Sequence, residues 1–157
     1  MSAAHAHIIL AHLPIIGIFF GLVILAIGRS NLHMFRAALI VFMIAGFAAL
    51  GVYLLGESAE EIVEDMAGIS HDLIEHHEEA GLWAMISGIA LGLVSAVGLF
   101  LSRRARPKGF MIVIVALALF AVSVFAVTAN RGAQINHPEI RNTAPGEPVL
   151  DHTHDND

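Results

Sequence analysis

The sequence has no cysteine among its 157 residues. That absence excludes disulfides, thiolate metal sites, iron–sulfur clusters and covalently attached c-type haem. Charge is scarce as well: 14% of residues are charged against 57% hydrophobic, which is too apolar for an ordinary soluble domain and predicts an integral membrane protein of one domain. Missing too are a nucleophile beside a base, a P-loop and a dinucleotide fingerprint. No basic surface of the nucleic-acid-binding kind is present. The ligands that remain are histidine, carboxylate and methionine.

Four apolar runs, near residues 8–28, 36–55, 80–101 and 110–129, are each long enough to cross a hydrocarbon core of roughly 30 Å, which takes ~20 helical residues. The first lacks a basic leader and a small-residue cleavage site, so it reads as a retained helix and not a signal peptide. Short connections at 29–35 and 102–109 make antiparallel neighbours. The expected fold is an all-α, integral membrane four-helix up-down bundle over residues 1–141. No ionisable residue lies near the middle of a span, so nothing supports transport.

Orientation follows from lysine and arginine. Arg29, Arg36, Arg103, Arg104, Arg106 and Lys108 put six of the eight basic residues on one side. By the positive-inside rule that side is cytoplasmic, and both termini are outside, on the periplasmic face of a bacterial inner membrane. All fourteen acidic residues fall on the outer side, as do nine of the ten histidines, His33 being the exception.

The outer segment between the second and third spans carries a capping box, Ser58-Ala59-Glu60-Glu61, followed by an apolar stripe of Ile62, Val63 and Met66. This predicts a short amphipathic surface helix ended by Gly68, with Ser70 as the N-cap of the next helix. The tail at 142–157, with Pro145 and Pro148, reads as disordered. Gly17-Ile-Phe-Phe-Gly21 and Gly88-Ile-Ala-Leu-Gly92 are GxxxG patterns; their plain reading is close helix contact, and their sharper one is room for a flat macrocycle.

The chain is organised around Ser70-His71-Asp72-Leu73-Ile74-Glu75-His76-His77-Glu78-Glu79. At ~100° per residue, Leu73, His77, Ala80, Gly81 and Ala84 share a stripe, which points His77 into the bundle. His76 shares a side with Asp72 and Glu79, and His71 aligns with Glu75 and Glu78. In the first span His7 and His12 point about 140° apart and cannot easily serve one metal. His12 precedes Pro14, which frees the carbonyl of Leu10, and an imidazole just inside the membrane boundary is costly without a partner.

A b-type haem needs two neutral imidazoles from different helices across a slot of small and apolar side chains. His12 and His77 are the first choice as axial ligands, with Gly17, Gly81 and Gly88 forming the slot and Arg131 as a propionate partner. His7 and His137 would hold a second haem, with His71 or His76 as other candidates. Glu75 and Glu79 are candidate proton acceptors. The alternative is a zinc, copper or nickel site built from His71, Glu75, His76 and Glu79, since such a metal takes three or four converging N/O ligands. A di-iron site is weaker, because positions 73 and 74 are Leu and Ile where Glu-x-x-His would need glutamate.

His7-Ile-Ile-Leu-Ala-His12-Leu-Pro14, the glycine-rich end of the second span, the His-rich start of the third and Gly132-Ala-Gln-Ile-Asn-His137-Pro138-Glu139 resemble a bacterial family of small four-helix membrane proteins. That family opens on an HPxxxHFP-type motif and is catalogued as a domain of unknown function. Ile8 stands where the motif has proline, and Ala133 where a second glycine is common. The resemblance marks His7, His12, a histidine of the 71–77 run and His137, and implies no established activity.

Taken together, the expectation is an electron-transfer subunit more than a free-standing enzyme. It would hold one or two b haems at the outer face and pass electrons between a quinol and a redox partner protein, surrounded by membrane lipid and open to homo-oligomer formation. The other readings are a transition-metal-binding membrane protein and a non-catalytic structural subunit of a membrane complex.

Overall fold

The computed structural model describes residues 2–28, 30–63, 70–103, 105, 109–137 and 140–141, with the side chains of 61–63 left aside. Four helices follow one another: α1 (Ala3–Ile27), α2 (Leu32–Val63), α3 (His71–Leu101) and α4 (Phe110–Asn136). All four are long and apolar enough to cross a membrane, and the chain is a multi-pass membrane protein folded as an all-α bundle. Its neighbours are α1 with α2, α2 with α3 and α3 with α4, while α1 and α4 meet more lightly. This leaves α1 and α3 facing each other across a diagonal.

Local chemistry sets the helix starts. Ser2 Oγ accepts from the His5 amide at 3.3 Å, and Asn31 Oδ1 accepts from the amides of His33 at 2.8 Å and Met34 at 3.4 Å, so two orphan donors of α2 are satisfied by one side chain. Ser70 occupies the expected N-cap position of α3, yet its hydroxyl makes no capping bond; its carbonyl instead accepts from the amides of Leu73 and Ile74. Gly109 enters α4 at φ 77°, a left-handed conformation that suits glycine.

One expectation is corrected here. Ser58–Val63 is not the start of a separate amphipathic surface helix but the last turns of α2. No proline lies between Leu55 and Val63, and Glu57, Ala59, Glu60 and Glu61 are good helix formers, so the helix continues past the apolar run. At 1.5 Å per residue its 32 residues span roughly 48 Å. The rest of the expected surface helix, 64–69, lies outside the described residues, as do Arg29, Arg104, Arg106, Lys108 and the tail 142–157.

The core sets alanines beside a few large side chains: Ile18 and Leu25 from α1; Phe35, Ala38, Leu39, Phe42, Ala45 and Ala49 from α2; Ala84 and Leu91 from α3; Ile114, Ala118, Ala121 and Phe125 from α4. Large apolar residues such as Phe19, Phe20, Trp83, Phe100 and Phe120 are exposed on the outer faces, where lipid takes the place of water. The glycines decide how near the helices come. A Cβ at Gly46 would strike the backbone of Gly88 and Gly92, one at Gly17 would lie 2.7 Å from Ala45 Cβ, and one at Gly88 would lie 2.8 Å from Ala49 Cβ. These GxxxG glycines therefore serve close helix contact. The expected macrocycle slot at Gly17 and Gly88 is filled by alanines of α2.

At the arginine end, Arg36 reaches from α2 to α3. Its Nη1 donates to the carbonyls of Leu99 at 3.2 Å and Ser102 at 3.1 Å, which are among the orphan acceptors of a helix C-terminus.

A candidate two-histidine site across the bundle diagonal

The opposite end of the bundle carries the histidines. Positions 7, 14, 21 and 28 on the α1 side are histidine, proline, glycine and glycine, and Pro14, Gly21 and Gly28 are buried. A seven-residue step keeps roughly the same helix face, so His7 continues the buried stripe outward. On α3 the same step links His77, Ala84, Leu91 and Gly98, the last three all buried.

The two imidazoles meet. Their ring centroids are 6.3 Å apart with planes at 88°. Each ring is also tied to the neighbouring helix: His7 Nδ1 lies 3.0 Å from the Val52 carbonyl of α2, and His77 Nδ1 lies 3.1 Å from the Thr128 carbonyl of α4. A carbonyl oxygen only accepts, so in both rings Nδ1 carries the proton and donates. In a neutral ring that leaves Nε2 with its lone pair. This second-atom anchoring is what orients histidines that bind metals.

Glycines make room for both rings. A Cβ on Gly56 would fall 3.2 Å from His7 Cε1, and one on Gly132 would fall 2.8 Å from His77 Cε1. At these two positions the lack of a side chain lets the helix lie close beside the imidazole. Thr128 adds a second tie beside His77, since its Oγ1 donates to the Ala80 carbonyl of α3 at 2.9 Å.

The histidine pairing expected from the sequence is corrected. His77 points inward as expected, but His12 is exposed and turns its Nδ1 to the Ile8 carbonyl of its own helix at 2.9 Å. It faces lipid, not His77. The ring that faces His77 is His7, expected instead to serve a second site with His137. His137 is exposed at the C-terminal end of α4, with its amide donating to Ala133.

The other candidates stay at the rim. His71, Glu75, His76 and Glu79 are all exposed, and among the described residues no three His, Asp or Glu side chains converge into a metal-holding group. His76 pairs loosely with Asp72 at 3.7 Å. Arg131 donates from Nη1 to the His76 carbonyl at 2.9 Å and lies 4.0 Å from Glu79 Oε2, so it bridges α4 and α3 beside the site. No family model matches the chain, and neither a curated protein nor a solved structure does.

Proposed function

We propose that the chain is a membrane electron-transfer protein holding a b-type haem between His7 and His77. The observation that carries this reading is the spacing of two rings whose Nδ1 atoms are both fixed to backbone carbonyls. Two imidazoles that shared one metal would have ring centres about 6 Å apart, and the centres of His7 and His77 are 6.3 Å apart. Two neutral imidazoles satisfy haem iron, whose remaining four ligands belong to the porphyrin. The light contact between α1 and α4 makes their seam the way in for a flat ring. Arg131, near the same end, is the cation for a propionate.

The charge pattern supports an outer-face location. Six of eight basic residues belong to the opposite end, so the histidine end and both termini lie on the periplasmic side of a bacterial inner membrane. With the haem near one surface, electrons are exchanged on that side, between a quinol in the outer leaflet and a partner protein. The deciding experiment is the visible spectrum of protein purified after haem-replete expression. A Soret band and reduced-state α and β bands typical of bis-imidazole haem are expected; a colourless protein overturns the reading.

A second reading is favoured by one observation. Gly56 and Gly132 bring helix backbones close to both rings, and a bare copper(I) ion, which two imidazoles alone can hold, needs less room than a porphyrin. Elemental analysis separates the two, since stoichiometric copper without a haem spectrum selects the ion.

A further inference from the structure

The outer side of the α3–α4 seam holds a groove of about 460 Å³ that includes Leu73, His76, Asn130, Arg131 and Gln134 in its lining. A second hollow of about 270 Å³, walled by Trp83, Phe120 and Val124, shares Val127 and Arg131 with it. The two lie side by side as an open channel on the surface of the bundle, their linings on α4 running between Gln134 and Phe120, roughly 21 Å of helix. Its polarity changes along its length. Imidazole, amides and guanidinium line the histidine end, and aromatic and aliphatic groups line the part deeper in the bilayer.

We propose that this channel binds a membrane quinone, its oxygenated head at His76, Asn130, Arg131 and Gln134 and its polyprenyl tail along Trp83 and Phe120. The electrostatics favour a neutral head over a lipid phosphate. Among the described residues, Arg131 is the one lysine or arginine lining the two hollows, and its charge is shared with Glu79 and the His76 carbonyl. Asp72, Glu75, Glu78 and Glu79 stand on the same turns of α3 and repel an anion. A quinone carbonyl needs only donors; Gln134 Nε2 donates to Asn130 Oδ1 at 2.7 Å, which leaves the Asn130 amide nitrogen and the His76 ring as the donors for the head.

The channel also adjoins the two-histidine site. His76 and Arg131 line it, while the next residues, His77 and Gly132, meet each other on the inner side. As regards electron transfer, the inference rests on the haem reading. A quinol becomes quinone by giving up two electrons and two protons; the single haem held by His7 and His77 would take the electrons one at a time, handing the first to the oxidised partner protein before accepting the second, and the protons would pass to water at the outer face.

Trp83 is the chain's one tryptophan and lies on the channel wall, so it reports binding without any haem. Protein in nanodiscs of zwitterionic lipid is titrated with a short-chain ubiquinone. Saturable quenching of Trp83 is expected, with half-saturation raised at least tenfold in Ala126→Phe, which fills the groove from an exposed position, and in the smaller change Asn130→Leu. Unsaturable quenching equal in all three proteins reflects partition into lipid and overturns the site, as does saturable quenching abolished by anionic lipid, which assigns the channel to phospholipid. In haem-loaded protein, Ala126→Phe slows reduction by quinol about tenfold and leaves reduction by dithionite unchanged. A protein without haem defeats the redox reading, while the tryptophan titration still decides the channel.

Discussion

His7 and His77, seventy residues apart in sequence, hold their rings 6.3 Å apart across the bundle diagonal, and each gives its Nδ1 proton to a different neighbouring helix. The pair therefore gathers contributions from all four helices. α1 and α3 supply the rings, while α2 and α4 supply the carbonyls and the glycines that admit them.

The first prediction separates this pair from the remaining histidines. His7→Ala and His77→Ala should each abolish stoichiometric haem, read as loss of the Soret band in purified protein, while His12→Ala should leave the spectrum unchanged because that ring faces lipid. Loss of colour in the His12 variant alone would sink the assignment.

Gly132→Ala tests the packing around His77. The added methyl falls 2.8 Å from Cε1, so the ring must shift away from Thr128, at a cost of about 1–3 kcal/mol. Gly51→Ala is the control, since a methyl there meets nothing within 4 Å and should stabilise the helix by up to ~1 kcal/mol. Thermal unfolding in one detergent should place the two variants on opposite sides of the wild type.

Gly46→Ala should be more damaging to the bundle than to the site. The new methyl runs into the backbone of Gly88 and Gly92, which cannot rotate aside, so α2 and α3 must separate. Tm should fall by an amount equivalent to about 1–3 kcal/mol, with any bound haem keeping its bis-imidazole spectrum. An unchanged Tm would show that the two helices are not in backbone contact.

Arg36→Ala removes two hydrogen bonds to the end of α3. Each bond from a charged donor contributes ~1.5–3 kcal/mol at most, and water at the membrane surface can replace part of it. A net loss of about 1–2 kcal/mol in unfolding experiments is expected, with Arg36→Lys recovering less than half, because the lysine side chain ends short of the place that Nη1 occupies between the two carbonyls.

Much of this architecture was legible in the sequence. The four spans stand out because membrane helices are apolar throughout, and His77 was oriented correctly because Ala80 and Ala84 supply small residues on its face. The same uniform apolarity hid the inner face of α1: with apolar residues on every side, periodicity says nothing about which side meets protein and which meets lipid. The informative signal was the size of the residues at 14, 21 and 28, a line that leads to His7 and passes His12 by. The end of α2 was misjudged for a different reason. Ser58-Ala59-Glu60-Glu61 has the composition of a helix start, and composition alone cannot tell a start from a continuation.

The ties at the two ends of the bundle restrict how it can move. Arg36 fastens α2 to the foot of α3, and at the other extremity His7 grips α2 while His77 and Arg131 clamp α4 to α3. Piston-like sliding of one helix past the next would break several of these ties together. The light contact between α1 and α4 leaves that seam as the place where two helices can part with fewest ties broken, which is sideways, toward lipid.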